Sequence, residues 1–456
     1  MFDINIYKSR REALCKSLNE GLILFYGNNP VPMNYPSNTL RFRQDSNFLY
    51  YCGLDFPSLN MVLNADTGKT ILFGDDLSTD DIVWEGKRVS IEEMATMSGI
   101  DQSFSSSQLL DFISSRKNNI HYLPYYREDQ KAFLNMIFNE KIIPSRELIR
   151  AVIAQRSIKK KEEIQEIESA LEVTSEMHKI AMRSSGEGVK EQMVVGKMEG
   201  YALSHGRRLA YPSIFTVNGE ILHNNFYLNT MKKDQLVLND TGAESANHYA
   251  SDITRTFPVN GKFNAMQSQI YNIVYEMQQA ALKFCKPGKS FKEAHLKASS
   301  IAVEGLKSIG LMRGDSDEAV NNGAHALFFP HGLGHMLGLD VHDMEGLGED
   351  LVGYEEENNR SDQFGLAYLR LSKKLESGFV ITVEPGIYFI PQLIDEWSSK
   401  RKLEEFINYN EIKKFIGFGG IRIEDNVHIT EKGNDILGPE IPKRISEIEA
   451  VMSGYA

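Results

Sequence analysis

The chain has 456 residues, 42% hydrophobic and 25% charged, and its 50 Lys+Arg against 62 Asp+Glu leave a formal net charge of −12. That length supports two or three domains around cores that need no cross-links, and the acidity argues against a dedicated nucleic-acid binder. Cys15, Cys52 and Cys285 are too few and too scattered for a disulfide framework or a CxxC zinc site, and they point to a reducing, cytoplasmic setting. Asp3, Lys8, Arg10 and Arg11 interrupt the stretch where a signal peptide would be apolar. The apolar run GLILFYG at 21–27 is far shorter than the roughly 18 residues of a membrane span, so no membrane partner is expected.

In chain order, residues 5–18 alternate apolar and basic positions as an amphipathic helix does, and 128–140 suggests another. GLILFYG, LNMVLNA (59–65) and TILFG (70–74) are short apolar runs bounded by Asn, Gly and Asp, predicted as buried strands. This part is expected to be an α/β unit over 1–155. A different pattern begins over 156–456. Lys159-Lys160-Lys161-Glu162-Glu163 opens a long helix with apolar residues at Ile164, Ile167, Leu171, Val173, Met177 and Ile180, ending at the Gly-containing segment 184–188. The charge run is expected to be a solvated helix start. Strands follow at 211–217, 235–240, 249–257, 379–384, 386–390 and 419–429, with helices near 264–285 and 291–309. Strands with short turns interrupted by helices predict an antiparallel sheet covered by helices, an α+β architecture.

Four segments carry candidate chemistry. In VLNDTGAESANHYASDITRTFP (237–258), Asp240 and Asp252 lie symmetrically about residue 246 in a presumed hairpin turn. Near-opposed carboxylates on antiparallel strands are unfavourable unless a cation sits between them, although both also suit ordinary turn positions. In FFPHGLGHMLGLDVHD (328–343), His331, His335 and His342 cluster within one short stretch of a chain with 11 histidines. HGLGH lacks the glutamate and the helical character of a zinc HExxH motif, so a loop leading into a strand is expected, with Asp340 and His342 on one face. Glu384 interrupts an apolar strand just before Pro385, a costly place for an unpaired carboxylate. In GGIRIEDNV (419–427), Arg422 and Glu424 alternate with Ile421 and Ile423, which is also consistent with a same-face ion pair. Together, Asp240, Asp252, His335, Glu384 and Glu424 offer an oxygen-rich donor set suited to a hard divalent cation such as Mn²⁺, with Zn²⁺, Co²⁺ and Fe²⁺ also compatible. The number of donors suits two metals about 3.5–4 Å apart.

This order of Asp, Asp, His, Glu, Glu, with NDTGAESANHYASDITRTFP, HGLGHMLGLDVHD, TVEPGIYF and GGIRIED as flanks, resembles the pita-bread metallopeptidases of the aminopeptidase P and prolidase branch. RRxxL at 10–14, FRQDSNFLYYCGL at 42–54 and the tract around Trp84-Glu85-Gly86-Lys87 resemble the creatinase-like aminopeptidase P N-terminal domain. The resemblance implies a pita-bread catalytic domain in which Asp240 ligates one metal, His335 and Glu384 the other, and Asp252 and Glu424 both. It implies metal-activated water as the nucleophile and Glu384 as proton shuttle. It also places His342 at the oxyanion, His223 and His331 at the proline pocket, and Arg422 and Tyr388 as residues that hold the site. Arg370 matches the position that binds a dipeptide carboxylate. A homodimer or homotetramer is implied, with Trp84 completing a neighbour's site. One departure is the spacing between the aspartates, a residue longer than usual in the family. The implied activity is removal of the residue before proline at peptide N-termini, with Xaa-Pro dipeptides also accepted. A strict dipeptidase is the alternative, and a non-catalytic pita-bread binding protein or a metal-free creatinase-like amidinohydrolase are more distant ones.

Overall fold

The computed structural model describes residues 1–18, 20–115, 119–138, 143–355 and 360–454. It divides into two compact units, Met1–Arg156 with Met344–Gly348, and Ser157–Asp343 with Glu349–Ala456. The first unit is built on strands β1 (Leu22–Tyr26), β2 (Asn60–Asn64), β3 (Thr70–Phe73), β4 (Gln102–Phe104) and β5 (Ile120–Tyr122), ordered β4-β3-β2-β1-β5. The β1–β2 and β2–β3 pairs are antiparallel, whereas β3–β4 and β1–β5 are parallel. Leu24, Val62, Phe73, Ile113, Leu134 and Phe138 join the sheet to its covering helices. The helix Glu128–Phe138 occupies most of the predicted 128–140 segment, and residues 139–140 lie outside the described residues.

The N-terminal RRxxL segment has a structural use. On the helix Ile4–Leu18, Arg10 and Arg11 are buried and donate to carbonyls in the last turn of the next helix: Arg10 to Tyr50 O at 2.9 Å and Arg11 to Tyr51 O at 2.7 Å. Those carbonyls close the short helix Ser46–Cys52, which ends at Gly53 with φ of 71°. Helix ends leave carbonyls unbonded, and buried cations there are tolerated because they bond them.

In the second unit the helix Lys161–Ser184 buries Ile167, Leu171, Thr174, Met177 and His178, the spacing of one helical face. The polar members of that face grip a hairpin of β7 (Leu236–Thr241) and β8 (Ile253–Pro258), preceded by β6 (Ile214–Thr216). Thr174 Oγ1 accepts from Ala243 N at 2.9 Å, and His178 meets Asn239 Nδ2 at 3.0 Å. Strands β9 (Val380–Val383), β10 (Gly386–Tyr388), β11 (Gly420–Arg422), β12 (Asp425–Ile429) and β13 (Asn434–Ile436) complete the unit. Among the described residues its strand pairs are all antiparallel, but hydrogen bonding divides them into three pieces, β6-β7-β8, β13-β12-β9 and β10-β11. The single run predicted over 419–429 is broken at Ile423–Glu424, and the two strands predicted over 379–384 and 386–390 are separated at Glu384–Pro385, so both breaks fall on candidate ligands. The helices Ala265–Phe284 and Phe291–Ser308 begin at Asn264 and Ser290, whose side chains accept from the third residue of each helix.

Two expectations are corrected here. The charge run is only partly solvated: Lys160 and Lys161 are exposed, but Lys159 is 5% exposed and Glu163 1%. Lys159 Nζ lies 2.8 Å from Asp343 Oδ2, and Tyr249 donates to Glu163 at 3.0 Å. These partners are distant in sequence, so a local charge pattern does not disclose them. Residues 338–343 form bends rather than a strand. Gly338 N donates to Asp340 O and Asp340 N to Asp343 Oδ1, and this turn removes the alternation that would have put Asp340 and His342 on one face.

Candidate active site

The hairpin brings Asp240 and Asp252 together in a register different from a direct pair. Asp240 faces Thr254, and Glu244 bridges Ala250, so the pairing is centred on residue 247 rather than 246. The turn accommodates this with His248 at φ of 67°. Asp252 is therefore the diagonal neighbour of Asp240 on the same face, still within side-chain reach. Both are buried, at 8% and 6% exposure. Tyr211 Oη contacts both carboxylates, at 2.6 Å from Asp240 Oδ1 and closely against Asp252 Oδ1. A phenol has one hydrogen, so both contacts are satisfied together only when a carboxyl keeps its own proton or a cation takes that place. Burial, followed by the neighbouring Asp240 charge, raises Asp252 to about 8.

His335 arrives from the loop that pairs along β9. Thr382 N donates to His335 O, Glu384 N to Leu333 O, and Leu337 N to Val380 O. The approach is close enough that a Cβ at Gly334 would stand 2.2 Å from Thr382 O, so glycine is required there. Nδ1 of His335 contacts the Met336 carbonyl at 2.9 Å, which can only accept and so assigns the ring proton to Nδ1. In the neutral ring, Nε2 then presents a lone pair to Asp252 Oδ2 at 3.3 Å and Glu384 Oε1 at 3.5 Å. Three acceptors facing one another call for a cation.

Glu424 supplies the same signal from the opposite side. Its Oε2 accepts from Thr254 Oγ1 at 2.6 Å, while Oε1 is buried without a hydrogen-bond partner. Donor atoms of Asp252, His335 and Glu424 lie within 4.8 Å of one another. Burial moves Glu424 well above the carboxylate range, with Asp252 adding to the shift, and burial also raises Glu384. A group of carboxylates this resistant to ionising on its own is chemically matched to divalent metal, whose charge offsets theirs.

Arg422 organises the back of the site. Its guanidinium donates to Asp240 Oδ2 at 2.5 Å, to Tyr388 Oη at 2.8 Å and, through Nε, to Thr254 Oγ1 at 3.1 Å. Its charge pairs with Asp240, and Thr254 links it to Glu424, which replaces the simple Arg422–Glu424 pair considered from the sequence. Tyr388 is fully buried and also contacts His331 Nε2 at 2.8 Å. His331 Nδ1 meets the Gly332 carbonyl, so Nε2 accepts from the phenol. Burial, then Arg422, lowers His331 to about 3, keeping it neutral.

The ligand candidates open into a cavity of about 780 Å³ lined also by His223, His331, His342, Arg370, Tyr211 and Phe364. The His342 ring stands 4.3 Å from that of His335. Arg370 bonds Glu349 at 3.3 Å. Trp84, on the helix Thr79–Glu85 of the first unit, is 86% exposed and is not among the lining residues. Sequence reasoning missed Tyr211, Thr254 and Thr382. Thr254 on β8 and Thr382 on β9 meet their partners through strand pairing, and Tyr211 lies in the bend before β6; none of the three carries a signal of its own in the sequence.

Among the described residues no helix is long and apolar enough to cross a membrane. Residues 165–431 match the profile of metallopeptidase family M24, and residues 7–122 that of the aminopeptidase P N-terminal domain. A probable Xaa-Pro aminopeptidase of Ajellomyces dermatitidis is 32% identical over 436 residues, spanning 90% of this chain and 88% of the relative. The Xaa-Pro dipeptidase of Homo sapiens is 31% identical over 469 residues, spanning 98% and 93%. The structure of Escherichia coli aminopeptidase P with the inhibitor Pro-Leu superposes with a TM-score of 0.83 at 30% identity, covering 100% of this chain and 99% of that one. A zinc-substituted form of the same enzyme in complex with product gives 0.82 at 30% identity, with the same coverage. The chain therefore belongs to metallopeptidase family M24, as a divalent-metal peptidase with an aminopeptidase P N-terminal domain and a pita-bread catalytic domain.

Proposed function

We propose that the protein is a dinuclear Xaa-Pro aminopeptidase that releases the residue preceding proline at peptide N-termini and also accepts Xaa-Pro dipeptides. The observation that carries this reading is the acceptor-only cluster of His335 Nε2, Asp252, Glu384 and the unpartnered Glu424 Oε1 in one cavity. Asp240 would hold one cation, His335 and Glu384 the other, and Asp252 and Glu424 both. When bound, two Mn²⁺ ions supply Lewis acidity and a water acidic enough to ionise near neutral pH. The chain itself positions the peptide and moves the proton. Glu384, whose side chain is 18% exposed and whose pKa burial raises, takes a proton and returns it to the leaving nitrogen. His342 stabilises negative charge on the carbonyl oxygen. His223 and neutral His331 line the pocket for the proline ring, and the Tyr388 contact commits His331 to binding rather than proton transfer. Arg422, holding Asp240, keeps the ligand geometry. We place the enzyme in the cytoplasm as a homodimer or homotetramer, where a second copy covers the exposed Trp84.

Arg370 supports the alternative of a strict dipeptidase, because a half-buried guanidinium lining the cavity suits a C-terminal carboxylate. Comparing a tripeptide Xaa-Pro-Yaa with the dipeptide Xaa-Pro separates the two. The aminopeptidase reading expects the tripeptide to be cleaved and Arg370→Ala to leave its KM unchanged. Cleavage of the dipeptide alone, with KM for it raised in Arg370→Ala, establishes the dipeptidase instead.

A further inference from the structure

The charge run Lys159–Glu163 plays no part in the chemistry above, yet its two buried members reach two of the four segments that carry the ligand candidates, the hairpin and the His335 loop. Lys159 Nζ lies 2.8 Å from Asp343 Oδ2, and each side chain is 1% exposed. Asp343 closes the loop that carries the two histidines: its N donates to Met336 O at 2.9 Å, and its Oδ1 accepts from Asp340 N at 3.3 Å. His335 immediately precedes that closure and His342 lies just inside it. The packing beneath the loop is tight, since a Cβ on Gly338 would stand 2.4 Å from Asp343 Oδ2 and 2.9 Å from Lys159 Cε. Gly338 O accepts from Ala250 N at 2.8 Å, two residues before Asp252. Lys159 is itself fixed, its N donating to Gly378 O at 2.8 Å, and four residues on, Glu163 accepts from Tyr249 of the same hairpin.

We propose that Lys159 is a positioning residue for the reaction, acting through Asp343 to hold the 336–343 loop so that His335 and His342 meet the reacting groups. Removing the ammonium takes away the cation 2.8 Å from Asp343 Oδ2, and breaking one side of a buried ion pair shifts the groups it held, here the turn that sets His342. A loop displaced by about 1 Å costs on the order of 100-fold in rate. The proposal rests on the peptidase reading given above.

The test compares the wild type with Lys159→Met, which keeps the stem but not the charge, with Asp343→Asn and with the double variant. Each is checked for fold by circular dichroism, titrated with Mn²⁺ by calorimetry and assayed on an Xaa-Pro-Yaa tripeptide. The expected result is a loss in kcat on the order of 10- to 100-fold in each single variant at saturating Mn²⁺, with KM little changed and Mn²⁺ binding weakened. The double variant loses no more than the worse single one, because both act on one contact. Folded single variants with kcat and Mn²⁺ affinity within about twofold of the wild type overturn the proposal, whatever their thermal stability. If Lys159→Met does not fold, Asp343→Asn alone decides on the same two readouts. An inert wild type refutes the peptidase reading instead, and the Mn²⁺ titrations then still decide whether Lys159 positions the loop.

Discussion

Replacing Asp252 with asparagine should move stability and activity in opposite directions. The difference between about 8 and the ordinary 3.8 for Asp252 corresponds to on the order of 6 kcal/mol disfavouring its ionised form in the metal-free fold. Folded metal-free protein thus holds a proton there that the unfolded chain has released, and its stability falls as pH rises from about 4 to about 8. Asparagine removes the ionisation while keeping the contacts. Its carbonyl still accepts from Tyr211, and its amide faces the His335 Nε2 lone pair, 3.3 Å from Asp252 Oδ2 in the wild type. In chelator at pH 8.5, Asp252→Asn should therefore unfold at higher denaturant than the wild type, by a few kcal/mol, with the gap closing near pH 4. Adding Mn²⁺ at about 100 times its dissociation constant should raise the wild type by about 2.7 kcal/mol and the variant far less. The variant should not hydrolyse an Xaa-Pro substrate. Urea titrations at the two pH values, with and without Mn²⁺, measure each quantity. A metal-free variant less stable than the wild type at pH 8.5, or one that retains full activity, refutes the reasoning.

Gly334→Ala puts a methyl group where only 2.2 Å separates it from Thr382 O. The 333–337 segment must then lift from β9, and we expect a cost of about 1–3 kcal/mol with weaker Mn²⁺ binding by calorimetry; wild-type affinity would show that the close approach is not required. His295 and His325, which are not among the ligand candidates, are fully buried with their ring nitrogens unpartnered, and burial holds His325 down to about 4 and His295 well below 6.5. The unfolded chain binds these protons first, so stability is present above about pH 6.5 and is lost as pH falls towards 4, by about 3 kcal/mol for His325 alone. His325→Leu should flatten that slope in denaturant titrations from pH 7 to 4, and an unchanged slope contradicts the assignment.

Three of the five ligand candidates stand out in the sequence as polar residues where a strand otherwise runs apolar, Asp240 after VLN, Glu384 after ITV and Glu424 after GGIRI, while Asp252 stands out by its place across the hairpin and His335 by the histidine cluster. Strands β1, β2, β3 and β7 were legible within a residue, whereas the runs expected over 211–217 and 249–257 begin three and four residues before β6 and β8. What was not legible depends on pairing. Asp240 faces Thr254 rather than lying opposite Asp252, because the turn is centred one residue later than symmetry about 246 would place it. Leu339-Asp340-Val341-His342 has the period of a strand, but side chain-to-backbone bonds from Asp343 fold it into a turn. Lys159 was read as solvated because its partner is 184 positions away. Tyr211, Thr254 and Thr382 gain their roles only when segments far apart in the chain are laid side by side.

This family M24 chain is a metal-dependent peptidase specific for the bond before proline. The most direct test of that claim strips the full-length protein of metal with chelator, restores it with Mn²⁺ and identifies the products formed from an Xaa-Pro-Yaa tripeptide by mass spectrometry. Free Xaa and Pro-Yaa, formed only after Mn²⁺ is restored, are the predicted products; no cleavage, cleavage at another bond, or undiminished cleavage in chelator contradicts the claim.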